Sequence, residues 1–220
     1  AIDWFFSHVE EGLIFEDDCV PNQSFFPFCQ ELLERYRDDN RVMMISGDNF
    51  QLGRRTEYSY YFSRVPHLWG WASWKRAWGY YDVEMKLWPL IRDGDWLRNI
   101  FNDRDAVKYW NRILEDTYNN KIDTWDYQWG FSCWIQGMLC IMPETNLISN
   151  IGFGGDSTHT HDGKSPFANL PKAPVQFPLS HPPFIIRDCA ADDFTQKTHF
   201  DTETWISKIR YTLGHMLGRI

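Results

Sequence analysis

The sequence predicts an α/β protein: a sheet with parallel strands, alternating with helices along the chain. Three observations predict it. Residues 1–47 read helix, strand, helix, strand, an order that sets strands in parallel with helices on the faces. The two strand segments, 13–16 and "RVMMISG", are apolar without alternation, the pattern of strands covered on both sides. The chain's 220 residues and 43% hydrophobic content suffice for a sizeable core.

Each element has a local reason. In residues 1–11, Ile2, Phe5, Phe6 and Val9 fall on one helical face, and Gly12 stops the helix. Residues 13–16 are the first strand. In "SFFPFCQELLERYRDD", Ser24 suits an N-cap, and Pro27 sits in the first turn, where a missing N–H is tolerated. "YSYYF" at 58–62 is a further strand. "PHLWGWASWKRAWGYYD" reads as a loop leading into a short helix, with Trp71, Trp74 and Trp78 at i, i+3 and i+7. Helices are expected over 105–120 and over 125–137, the second ended by Gly137. "MLCIMPETNLISN" gives a strand and a connection. Residues 152–188 begin with glycines and then hold six of the chain's 11 prolines, so they are expected to be loop. A last helix is expected over 201–219, with Trp205, Ile209, Leu213 and Leu217 about one turn apart. The chain thus divides into a domain at 1–162, a Pro-rich loop segment at 163–200 and an amphipathic helix at 201–220.

Composition narrows the function. A net charge of −8, from 30 acidic and 22 basic residues, argues against a nucleic-acid binder. No apolar run approaches the ~20 residues of a membrane span. The five cysteines are an odd set without CxxC spacing, and the first residues lack a basic signal-peptide start. These features predict reduced thiols and a cytoplasmic location. Lys208, Arg210 and Arg219 beside the last apolar stripe fit either docking on the protein body or contact with the inner membrane face. Aromatics reach 17%, including 12 Trp, which serve cores and also stacking platforms for sugars.

Four groups of residues can carry chemistry. "GLIFEDDC" runs an apolar strand into Glu16, Asp17 and Asp18. Ligands collect outside the carboxyl ends of parallel strands. Crowded carboxylates repel unless a cation compensates, and Mg²⁺ or Mn²⁺ with oxygen ligands is the natural one. The plain alternative is a solvated acidic turn before Pro21. In "WDYQW", Asp126 lies among three aromatics, either as a helix N-cap or as a partly desolvated general base. In "THTHDG", His159 and His161 share a side if extended, but have no third local ligand; surface histidines are the alternative. "SGDNF" places Asp48 and Asn49 at a strand end. Trp69, Gly70 and Trp71 combine a bare backbone with indoles, where a sugar face can rest, while core packing is the commoner role of such tryptophans.

The order of these motifs resembles a bacterial group of nucleotide-diphospho-sugar transferases, glycosyltransferases of the GT-A type of the hemolytic-protein-like group. The resemblance runs over about residues 1–162, through "EEGLIFEDDCVPNQSFFPFCQELLERYRDDNRVMMISGDNF", "YSYYFSRVPHLWGWASWKRAW", "WDYQW" and "NLISNIGFGGDSTHT". It implies a GT-A-like (Rossmann-like) mixed sheet. It implies that Asp18 and His159 ligate Mn²⁺ or Mg²⁺, with His161 a weaker candidate, while Asp17 and Glu16 support the metal and ribose. It implies that Asp126 is the base of an inverting transfer; Asn49, Gly70 and Trp71, read from the residues above, are the candidate contacts for the donor. The donor implied is a nucleoside-diphosphate sugar, UDP-linked in most proteins of this type, and the acceptor a glycan. The resemblance also implies an N-terminally truncated domain: the strand–helix–strand unit that holds the nucleotide base would precede Ala1. A homo-oligomer is then expected to cover the open sheet edge. Two other functions fit the same residues: a non-catalytic carbohydrate-binding module, and a metal-dependent phosphohydrolase.

Overall fold

The computed structural model describes residues 1–53, 56–153, 167 and 169–200. A five-stranded mixed sheet is its centre. β1 (Glu11–Ile14), β3 (Val42–Ser46), β4 (Tyr60–Ser63), β5 (Trp71–Trp74) and β6 (Leu139–Pro143) lie in the order β1-β5-β3-β6-β4. β3 and β6 are parallel neighbours, and all other pairs are antiparallel. β1, β3 and β6 therefore share one direction, as the helix–strand alternation predicts. β5 inserts between β1 and β3, so those two strands never pair. A separate two-stranded ribbon joins β2 (Cys19–Pro21) to β7 (Ile148–Asn150). Strand β1 is one edge of the sheet. At the other edge, Phe62 of β4 bridges to Arg187.

The sheet is covered on both faces. One face packs Met44, Trp71, Cys140 and Met142 against α1 (Ile2–His8), α3 (Lys75–Trp78), α4 (Trp88–Asp93), α6 (Arg104–Tyr118) and α7 (Asp126–Ile135). A short helix, α5 (Leu97–Ile100), adds Leu97 to the same cluster. The other face packs Val42, Ile45, Trp74 and Ile141 against α2 (Phe25–Arg35) and against Val175 and Leu179 of the proline-rich segment. Helix α2 presents Phe25, Phe28 and Leu32, one turn apart, to that face.

Three expectations need correction. The predicted helix through Trp71 and Trp74 is strand β5 at that point. The two indoles lie three residues apart, so a strand sends them to opposite faces, and both faces are buried. Helical spacing and a two-sided strand give the same pattern there. Gly70, at φ +73°, supplies the left-handed turn that enters β5; its carbonyl accepts from the Gly47 amide at 2.9 Å. The Pro-rich segment is not loop to residue 200: α8 (Cys189–Thr195), capped by the Asp188 carboxylate, continues into a π-turn at Gln196–Phe200. The expected strand at 13–16 begins and ends earlier, at Glu11–Ile14, and is half-buried rather than fully covered. The last helix at 201–219, His159 and His161 lie outside the described residues. All five cysteines are free, and only Cys189 is exposed. No helix among the described residues is long and apolar enough to cross a membrane.

Candidate functional site

Strand direction makes a crevice. Register places Ile14 and Ser46 on either side of Trp71, so the carboxyl ends of β1 and β3 are flush with the start of β5. The chain leaves these ends as 15–18, 47–50 and, on the way into β5, 65–69. A cleft of about 1190 Å³ opens there, lined also by residues 122–127 at the start of α7. Its position is the one that strand topology favours for ligands in α/β sheets.

Glu16, Asp17 and Asp18 all line it. They sit in the turn between β1 and β2, not on the strand itself. Cys19 donates its amide to the Glu16 carbonyl, and the Asp18 carbonyl accepts from Ile151, which pins the turn against the end of β7. Glycine at 152 permits this approach: a Cβ there would fall 2.1 Å from Asp18 Oδ2. One oxygen of Glu16, one of Asp18 and the Cys19 sulfur lie within 4.8 Å of one another. Burial and the Asp18 charge push the Cys19 thiol far above its usual range, so it is a protonated donor to Asp18 Oδ1, at 3.4 Å. The two carboxylates are thus the metal-suited atoms of this group, and their oxygens fit a hard divalent cation.

Asp126 lines the same cleft as the three acids. It is the first residue of α7, and Trp125 holds the cap position without a side-chain bond. Its Oδ1 is tethered by the Tyr127 amide at 2.7 Å and by the Thr124 hydroxyl. Among the described residues, no hydrogen bond holds its other oxygen. Half-buried Trp125 and Tyr127 flank it; burial, reinforced by the Asp126 charge, pushes the Tyr127 phenol up to about 12. Asp123 adds another carboxylate to the lining. Among the described residues that line the cleft, none is Lys or Arg. The described lining is therefore acidic in balance.

Three expected contacts lie elsewhere. Trp71 is 1% exposed and packs among Trp78, Trp125 and Trp129, so its indole has no open face for a sugar. Gly70 lies under Phe15 and Ile148, which a Cβ there would meet at about 3 Å. Asn49 is buried: it donates to the Pro143 carbonyl at 2.6 Å and accepts from the Gln51 amide at 2.7 Å. These three residues build the cleft's frame rather than its surface. Trp69, half-buried, does line it.

Sequence reasoning missed a polar corner of the cleft. Asp48, His67 and His199 all line it, from the end of β3, the approach to β5 and the π-turn. Asp48 is fully buried, and desolvation raises its carboxyl to about 7 against the pull of the Ser46 hydroxyl and nearby backbone amides. Ser46 supports a neutral acid. Its hydroxyl meets two oxygens, Asp48 Oδ1 and the His67 carbonyl at 2.8 Å, and has one proton for both. A proton on Asp48 Oδ1 serves the first contact and leaves the hydroxyl proton for the second. Burial holds His67 neutral and lowers His199 to about 4. Only Asp48 carried a local signal, as a polar residue at a strand end. His67 and His199 reach it from 19 and 151 residues away in sequence, a proximity that only the tertiary fold creates.

No protein-family model matches the chain, and a search of curated proteins finds no match.

Proposed function

We propose that the protein is a metal-dependent glycosyltransferase, moving a sugar from a nucleoside-diphosphate donor to a glycan hydroxyl with inversion. The observation that carries this reading is one cleft lined by three consecutive carboxylates, by the aromatic-flanked Asp126, and by no cationic side chain among its described residues. A divalent cation held by these carboxylates would offset their repulsion of a dianionic diphosphate. Asp18 and Glu16 would hold Mn²⁺ or Mg²⁺. The bound ion would act as a Lewis acid, neutralising charge that develops on the leaving diphosphate. Asp17, which lines the same cleft, would support the ribose or the metal's water shell.

Asp126 is the base in this reading. The acceptor oxygen attacks the anomeric carbon while the bond from that carbon to the diphosphate oxygen breaks. The bonding pair leaves with the diphosphate, and the acceptor proton goes to the untethered Asp126 oxygen. The tether from Tyr127 and Thr124 fixes the carboxylate plane, so the free oxygen is presented without loss of side-chain entropy at reaction. Half-buried aromatics beside it limit competition from water.

Product analysis tests the reading. Incubated with UDP-N-acetylglucosamine and Mn²⁺, the chain is expected to release UDP and free or transferred sugar, and to stop when the metal is chelated. Release of UMP and inorganic phosphate would assign a phosphohydrolase instead. Sugar binding that ignores the metal, with no turnover, would assign a binding module. A smaller change probes the metal wall. Gly152→Ala must push the Asp18 carboxylate aside, because the new Cβ overlaps Oδ2. It is expected to weaken Mn²⁺ affinity by roughly 10–100-fold in a calorimetric titration, as loss of a metal ligand's support does.

A further inference from the structure

The transfer reaction leaves the Asp48–His67 corner unused. His67 Nδ1 lies 3.8 Å from Asp48 Oδ2; neither atom has a hydrogen-bond partner, although both side chains are at most 2% exposed. Phe50 packs against His67 at 4.3 Å and against His199 at 4.7 Å, and His199 stacks over His67 at 6.2 Å. A buried polar group left unpaired costs about 1–3 kcal/mol. Two of them side by side in the wall of a cleft point to a ligand.

The proton positions follow from the neighbours. Ser46 draws the Asp48 proton to Oδ1, so Oδ2 is an acceptor whether the acid is neutral or ionised. His67 Nδ1 lies 3.8 Å from Oδ2, and a ring proton on Nδ1 would give both unpartnered atoms a partner. The ring proton therefore sits on Nδ1 and leaves Nε2 bare. With Nδ1 turned to Asp48, Nε2 is the nitrogen left for the cleft that the ring lines. A 3.8 Å separation is longer than a hydrogen bond; such contacts tighten when a ligand is bound.

We propose that His67, held by Asp48 with its ring proton on Nδ1, accepts a hydrogen bond through Nε2 from a hydroxyl of an uncharged sugar ring. The proposal rests on the glycosyl-transfer reading and adds to it the part of the site that receives the sugar. His199 is the other titratable group against His67, and burial keeps both imidazoles uncharged. An anionic group gains no attraction here, whereas a hydroxyl finds an acceptor held in one orientation. Trp69, half-buried in the same cleft, offers a flat face for the apolar side of a pyranose. His67 is then a binding residue and Asp48 a positioning residue.

Long-range ¹H–¹⁵N correlation of the histidine rings in the intact chain tests this, with N-acetylglucosamine as probe and glucuronic acid as the charged control. The Nδ1-protonated form of His67 is expected in the natural chain and in Asp48→Asn, whose amide can reproduce the neutral acid. It is expected to be lost in Asp48→Leu. N-acetylglucosamine is expected to shift the Nε2 signal, with glucuronic acid at least tenfold weaker and His67→Phe binding the neutral sugar at least tenfold more weakly. A ring protonated on Nε2, an Nε2 signal unmoved by the sugar, or equal response to glucuronic acid would overturn the proposal. The measurement needs neither nucleotide nor metal. A sugar response in a chain that fails to bind UDP with Mn²⁺ would therefore sink the transfer reading and leave the sugar site standing.

Discussion

Asp126→Asn is expected to slow sugar transfer by roughly 10²–10⁴-fold, the range for loss of a general base. Nucleotide binding in the presence of Mn²⁺ should stay within about twofold. The asparagine oxygen can still accept from the Tyr127 amide and the Thr124 hydroxyl, so the start of α7 keeps its geometry. What disappears is the second oxygen, which has no hydrogen bond among the described residues and which receives the proton in the proposed transfer. Single-turnover kinetics with isotopically labelled donor would separate the two effects. A variant with unchanged transfer rate would remove Asp126 from the chemistry.

Asp48→Asn is expected to stabilise the fold, and to do so only above acidic pH. The folded carboxyl is raised from 3.8 to about 7, so the folded state holds a proton that the unfolded chain releases. Stability contributed by that proton is complete below about pH 4 and lost as pH rises through 7. An asparagine does not titrate. The variant should therefore match the natural chain near pH 4 and exceed it increasingly up to pH 7, by about 2–4 kcal/mol at the plateau. His67 and His199 act in the opposite sense: their folded values are depressed, so they add stability as pH rises toward 6.5. Both chains keep these histidines, so the difference between the two unfolding curves isolates Asp48. Denaturant titrations at pH 4, 6 and 8 measure it; a constant difference across that range would show that Asp48 is ionised throughout.

The acid wall and the fold class were legible for a shared reason. An apolar run that stops on three carboxylates has to end where the core ends, and α/β topology puts that end in a crevice. Helices α6 and α7 were legible to within about two residues of their ends, and α2 as a helix after Ser24, although the Ser24 side chain makes no capping bond to it. Strand β5 was not legible, because a strand buried on both faces can show the same tryptophan spacing as a helix. Its insertion between β1 and β3 was hidden as well, since alternation predicts strand direction and not strand order. Trp71, Gly70 and Asn49 show the matching limit at the site. Residue type and position relative to a strand end do not tell whether a side chain turns into the cleft or into the core beneath it. The Asp48–His67–His199 corner depends on contacts between segments far apart in sequence. Its strongest mark, two buried polar atoms without partners, exists only in three dimensions.

The central claim is that the carboxylates at the end of β1 hold a cation for a diphosphate. Calorimetric titration of the chain with UDP, with Mn²⁺ and then with chelator, repeated on Asp18→Asn, tests it most directly. The account predicts binding that requires Mn²⁺ and falls at least 100-fold in the variant, the expected loss of a charged metal ligand shared by a diphosphate. A folded chain that binds UDP equally well under chelation, keeps its affinity in Asp18→Asn, or binds no UDP at all would contradict it.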